Sequence, residues 1–260
     1  MNNELFHYGV KGMKWGVRRD KETLDRLAGR AYKIDYKDNG DYIIRKGSKL
    51  HRVSASPTNN RKGYAYTSFT DEDVKGYRKE ISAWLDEING VRTYDLTLKV
   101  TKDLVIPSEQ EKVKSFIKLV GDDKISSKDL YVMRANNTSS DSLNGKPKKI
   151  SDALQKNGLQ KEVADAYALF SMEMFHNDKY KEIFFDDLKK KGYNAIDDLE
   201  DAISHRVNPL IVFERENTLK LIRADELPEP YSDDPKWDKI VKEAKEADAK
   251  TKQIHAKRGY

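Results

Sequence analysis

The chain contains no cysteine. That excludes disulfides, thiolate metal sites and cysteine nucleophiles, and it fits a reducing compartment. No apolar run approaches the roughly 20 residues that a membrane helix needs, and the N-terminus lacks the apolar stretch of a secretory signal. The expectation is a soluble protein made in a cytoplasm, with no membrane partner. The histidines His7, His176, His205 and His255 stand alone, without zinc spacing. A phosphate-binding glycine loop, a nucleophile elbow and a kinase signature are all missing. Neither sign of charge dominates: 49 basic residues face 44 acidic ones, a net +5 that is too small to argue for nucleic acid as a main partner.

What is present is charge of both signs. Charged residues make up 36% of the 260 and hydrophobic ones 37%. The charged fraction exceeds the usual quarter, so long solvated helices or extended tails are expected. The length allows one large or two small domains with a proper core.

Residues 7–19 read His-Tyr-Gly-Val-Lys-Gly-Met-Lys-Trp-Gly-Val-Arg-Arg. Glycine at that density disfavours a helix, and the apolar residues are too scattered to build a core. The run reads as a linear docking peptide with Trp15 as anchor, helped by Tyr8, Met13, Lys14, Arg18 and Arg19. A disordered leader is the alternative. The run resembles a short N-terminal motif found on structural or head-associated proteins of phages that infect Gram-positive bacteria. The resemblance implies a virion protein carried with the phage head, with capsid or portal proteins as partners, and it says nothing about chemistry.

After a charged helix expected over residues 20–36, a turn at Asp38–Asp41 leads to short strands at Tyr42–Arg45 and Leu50–Val53. A polar loop then joins a strand over Gly63–Phe69. Thr70 opens a capped helix with Val74, Tyr77, Ile81, Trp84, Leu85 and Ile88 at helical spacing, stopped by Asn89-Gly90. Tyr77 and Trp84 read as core residues and not as ligand platforms. Tyr94, Leu96, Leu98 and Val100 alternate as a half-buried strand. Pro107-Ser108 with Glu111 starts another capped helix, a short helix is expected over 125–134, and residues 136–149 read as an exposed loop. A helical block spans 150–191. Strands at Tyr193–Ile196, Leu210–Phe213 and Leu219–Leu221 follow, with an acidic cluster at Asp197–Asp201 between the first two. The expected division is a docking peptide at 1–20, an α+β body at 21–225, and a linker with a charged C-terminal helix at 226–260. That helix starts at Asp234-Pro235, and its thin apolar stripe is expected to pack on the body.

An early strand carrying an arginine, a Tyr/Thr/Ser strand feeding a helix, and two late strands resemble the ADP-ribosyltransferase-like fold over about residues 40–222, a mixed β-sheet core with flanking helices. The resemblance implies that Arg52 grips the dinucleotide, that Thr67 and Ser68 with Tyr66 shape the nicotinamide pocket, and that NAD is the substrate of any enzyme built this way. His51 is similar in place to the histidine of the diphtheria-toxin-like branch. Glu214, in Glu214-Arg215-Glu216, matches the late glutamate by spacing, with Asp198 and Glu200 as substitutes. The plain reading of Arg52 is a strand-end residue paired with the acidic cluster, and Thr67 and Ser68 are also ordinary strand residues. The acidic cluster lacks a calcium-loop spacing and reads as a solvated turn.

Three functions stay open. The first is a non-enzymatic minor head protein with a transferase-like body. The second is an active mono-ADP-ribosyltransferase packaged in the head and delivered to modify host proteins. The third is a virion protein that touches packaged DNA through its basic ends.

Overall fold

The computed structural model describes residues 34–89, 91–126, 128–131, 138–139, 142–143, 145–174, 177–198, 206–207 and 209–258. The run at residues 7–19 expected to be a docking peptide, residues 20–33 of the expected first helix, His176, Glu200 and His205 lie outside the described residues.

In chain order the strands are β1 (Ile34–Tyr36), β2 (Tyr42–Ile44), β3 (Lys49–Ser54), β4 (Ala65–Ser68), β5 (Tyr94–Val100), β6 (Leu104–Ile106), β7 (Thr138–Ser139), β8 (Ser142–Leu143), β9 (Ala195–Asp197), β10 (Pro209–Val212) and β11 (Leu219–Glu226). The helices are α1 (Asp71–Asn89), α2 (Glu109–Gly121), α3 (Gly145–Lys156), α4 (Lys161–Glu173), α5 (Asp178–Lys190), the single turn α6 (Arg215–Thr218) and α7 (Pro235–Arg258).

The architecture is α+β. A six-stranded sheet runs β11-β5-β3-β4-β10-β9, a three-stranded sheet runs β1-β2-β6, and β7 and β8 form a hairpin. Every pairing among these strands is antiparallel, which corrects the expectation of a mixed sheet. The reason lies in β3. Strands β4 and β5 run parallel and are joined through α1, but β3 is inserted between them and pairs antiparallel with both. The connection therefore carries α1 across β3, which places a helix over the middle of the sheet.

Two cores result. Leu50, Leu96, Leu98, Leu210 and Val212 from the large sheet meet Ile34, Ile44, Leu104 and Ile106 from the small one. The alternate residues Ile196, Ile211 and Phe213 turn to the opposite face and pack on α2, α3, α4 and α5. Strand β10 is buried along its whole length, which explains its unbroken apolar run. Phe213 stacks on Phe185 with ring centroids 4.4 Å apart, and Phe170 meets Phe184 edge-on at 5.3 Å. Each buried phenylalanine contributes about 1.5–3 kcal/mol of burial. Asn194 ties the sheets together: its Oδ1 accepts from Val105 N at 2.7 Å and its Nδ2 donates to Asp103 O at 3.0 Å.

The local signals worked where their chemistry is specific. Ser108 caps α2, accepting from Glu111 N at 3.4 Å. Asp234 caps α7, accepting from Lys236 N at 2.8 Å. The stripe on α7 does pack on the body, burying Trp237, Ile240, Ala244, Ala247 and Ile254, with α1 as the neighbouring helix. Two expectations fail. Ile34–Tyr36 pair with β2 instead of ending a helix, because Ile34 and Tyr36 alternate about exposed Asp35 and extend the small sheet. The expected loop at 136–149 contains the β7–β8 hairpin, anchored by buried Leu143, and the first turn of α3. The expected helical block is present as three helices, and the breaks between them let α4 and α5 present separate apolar faces to one core.

Candidate functional site

Strands β3 and β4 are paired at a single position, His51 opposite Ser68. Beyond it they part, and a pocket of about 400 Å³ opens between their diverging ends and the overlying α1. Its size falls within the usual range for small-ligand clefts, about 300–1,000 Å³.

The floor comes from the strands. Arg52, His51, Tyr66, Thr67 and Ser68 all line the pocket, so five of the residues singled out from the sequence meet there. Their parts differ. Thr67 Oγ1 donates to Leu210 O at 3.1 Å, so its hydroxyl is engaged in holding β4 against β10. Ser68 is almost fully buried, whereas Tyr66 stands 45% exposed at the rim. His51 Nδ1 lies 3.4 Å from Asp95 Oδ1, and Arg78 grips the other Asp95 oxygen through Nε at 2.8 Å and Nη2 at 2.5 Å. Asp95 is buried and lies below its ordinary pKa. Burial alone would raise it, but the hydrogen bond from His51 and the charge of Arg78 outweigh that. The imidazole is thereby braced against a fixed carboxylate at the pocket wall.

Arg52 is the electrostatic centre. Its Nη1 reaches Tyr66 O at a long 3.5 Å, and its Nε is buried without a hydrogen-bond partner among the described residues. Burial, with the charges of Arg215 and Arg61, pushes its pKa down to about 10. Both of these arginines line the same pocket. Arg215 is itself buried and held below its usual pKa, first by desolvation and then by Arg61, with Glu216 opposing. Among the described residues no carboxylate lies within ion-pair distance of Arg52, Arg61 or Arg215. Three guanidinium groups thus converge on one cleft with little counter-charge. An anionic ligand would supply it.

The loop that carries Arg61 is pinned by α6. Arg215 N donates to Gly63 O at 3.0 Å, Arg215 Nε donates to Arg61 O at 2.5 Å, and Glu216 Oε2 accepts from Gly63 N at 3.0 Å. Gly63 has φ +91°, a left-handed conformation open to glycine and strained for other residues, so the turn into β4 depends on it.

Glu214 is not at the pocket. It sits at the start of α6 with Oε2 accepting from Asn217 Nδ2 at 3.2 Å, because the chain leaves β10 directly into a helical turn that rotates the carboxylate away. Its neighbour Arg215 points in instead. Asp198, which follows β9 and whose N–H donates to Pro209 O at 3.1 Å, is the late carboxylate that lines the cleft. Arg52 and Asp198 therefore line one space without forming an ion pair with each other.

The roof comes from α1. Val74, Tyr77, Ile81, Trp84 and Leu85 face the pocket. Trp84 is 54% exposed, which corrects its reading as core. Tyr77 is half-buried under the Arg206 guanidinium, 4.5 Å from the ring centroid. Aromatic rings on one side and guanidinium groups on the other suit a ligand that joins a flat ring to phosphates. Sequence reasoning missed Arg61, Arg215 and the roof. The available signal was an arginine between two glutamates just after an apolar strand.

Comparison with known proteins gives one family match. A "Family of unknown function (DUF7211)" matches residues 1–22, the segment that holds the glycine-rich run at 7–19 and lies outside the described residues. No curated protein and no solved structure matches the chain.

Proposed function

We propose that the pocket binds a dinucleotide of the NAD type, and that the body is a divergent ADP-ribosyltransferase-like module in which Asp198 replaces Glu214 as the late carboxylate. The observation that carries this reading is that Arg52, Ser68 and Asp198 line a single cleft. Arg52 would take the pyrophosphate, since a buried guanidinium without an anion gains most from a charge-assisted contact. Trp84 and Tyr77 offer ring faces. Asp198 would accept a ribose hydroxyl and stabilise the positive charge that grows as the glycosidic bond breaks. In that step the bond from ribose C1′ to the nicotinamide nitrogen breaks, its electron pair leaves with nicotinamide, and C1′ bonds to an acceptor or to water.

The test is titration calorimetry of the full chain with NAD, repeated with Arg52→Ala, followed by measurement of nicotinamide release in wild type and Asp198→Asn. Binding that vanishes in Arg52→Ala supports the site, and release that depends on Asp198 supports the chemistry. No heat at millimolar NAD sinks both.

The motif at residues 7–19 favours a second reading, compatible with the first, in which the body is a minor head component held in the phage particle through capsid or portal protein. Deleting residues 7–19 should remove the tagged protein from purified particles while leaving its melting temperature unchanged. Continued co-purification of the deletion variant with heads would rule out docking by this peptide.

A further inference from the structure

Arg61 and Arg215 have no counterpart in the dinucleotide reading above, which needs only Arg52 at the pyrophosphate. We infer that these two arginines, with Arg52, form a subsite for a phosphomonoester, so that the preferred ligand is a nucleotide carrying a terminal or branching phosphate in addition to its internal diester linkages. This rests on the pocket being a nucleotide site.

Each phosphorus of a pyrophosphate diester carries about one negative charge. A phosphomonoester carries about −1.5 to −2 near neutral pH and presents three acceptor oxygens. Three guanidinium groups with no carboxylate in ion-pair reach among the described residues exceed what a diester needs and match what a monoester supplies. The two extra groups are also built, not incidental. Arg215 is 4% exposed and reaches the cleft from a buried position. Arg61 is carried on a loop whose backbone is fixed by three hydrogen bonds to Arg215 and Glu216. The only acidic group of α6 near them, Glu216, spends an oxygen on Gly63 N. At the same end, Ser54, Ser56 and Thr58 line the pocket and are already arranged by short-range hydrogen bonds, Ser56 N to Ser54 Oγ at 3.2 Å and Ser56 Oγ to Thr58 Oγ1 at 3.1 Å. Hydroxyls and guanidinium groups together are the usual donors for a dianionic phosphate.

Two sources share the terminal, dianionic phosphate that such a subsite takes: the ribose phosphomonoester of a phosphorylated dinucleotide, as in NADP, and the end phosphate of a nucleoside polyphosphate, as in ATP. Full-length protein is titrated with NAD, NADP and ATP, and each titration is repeated with Arg61→Gln. The exposed Arg61 side chain makes this variant safe for folding, whereas Arg215 variants would also release the loop. NADP should bind about 10- to 100-fold more tightly than NAD, as expected for one or two additional charge-assisted contacts. Arg61→Gln should weaken NADP at least about tenfold more than it weakens NAD. Equal affinity for NAD and NADP, or equal loss of both in Arg61→Gln, overturns the phosphomonoester subsite and leaves the dinucleotide site standing. Binding of ATP, sensitive to Arg61→Gln, with no binding of either dinucleotide sustains the subsite and sinks the NAD reading. No binding of any of the three overturns both.

Discussion

Gly76 lies within α1, directly beneath the Arg206 guanidinium, and its replacement by alanine should destabilise the protein although alanine is the better helix former. A Cβ at this position would stand 2.4 Å from Arg206 Nη1 and 2.7 Å from its Cζ. Arg206 has nowhere cheap to go. Its guanidinium lies over Tyr77, bonds the carboxylate of Glu80 and reaches Asp248 at 3.5 Å, and its side chain is only 5% exposed. On an unobstructed helix, Gly→Ala would add about 0.8–1.0 kcal/mol. Displacing the guanidinium forfeits a cation–π contact of about 0.5–2 kcal/mol. It also loosens two ion pairs to half-exposed acids, about 0.2–1 kcal/mol each. Buried N–H groups left unsatisfied cost about 1–3 kcal/mol more. The losses win by roughly 1–6 kcal/mol, which lowers the melting temperature by at least about 2–4 °C for a chain of this size. Thermal and urea unfolding of wild type, Gly76→Ala, Arg206→Ala and the double variant decides it. With Arg206 removed, Gly76→Ala should reverse sign and stabilise by about 1 kcal/mol. The same sign in both backgrounds would refute the reasoning. Because Tyr77 is also part of the pocket roof, Gly76→Ala should weaken ligand binding too.

Arg52→Met should abolish nucleotide binding yet stabilise the ligand-free protein by about 1–3 kcal/mol, since burial holds the folded-state pKa down at about 10 and one pKa unit corresponds to about 1.4 kcal/mol. The sign follows from linkage: the penalty for charging Arg52 is full below the folded-state pKa of about 10 and is relieved as pH rises beyond it toward the ordinary guanidinium value, so the gap between variant and wild type in chemical denaturation should narrow over that window; a less stable variant contradicts the electrostatic account. Asp95→Asn should cost about 1.5–3 kcal/mol at pH 7, as expected for losing the charge-assisted hydrogen bonds between the buried Asp95 carboxylate and part-buried Arg78. Because Asp95 is held below its usual pKa, its contribution is present above about pH 3.8 and fades as pH falls through the folded value, so equal urea midpoints at pH 7 would exclude it. Ser108→Ala should lower stability by about 1 kcal/mol through loss of the α2 cap, read as a shifted urea midpoint with an unchanged slope.

What the sequence made legible follows from which forces are local. Caps at Ser108 and Asp234, the buried run of β10 and the alternation of β5 depend on neighbours a few residues away, and each reappears in the structure. Strand β1 was lost because Ile34 and Tyr36 sit beside a charged, alanine-containing segment, and only the distant β2 edge selects extended backbone for them. The pocket was half legible. Arg52 and Ser68 stood out because strand-borne polar residues are conspicuous, but Arg61 and Arg215 are separated by 154 positions in the chain and are joined only by a hydrogen bond that folding creates. The most instructive error is Trp84. Helical periodicity reports that one face of α1 is apolar, and it reads the same whether that face meets side chains or a space. Here β3 and β4 part beneath it, so the face that would have closed a core becomes the roof of a pocket. An apolar stripe above two strands that pair at one position is therefore a site signal, and it becomes readable only when strand register and helix face are considered together.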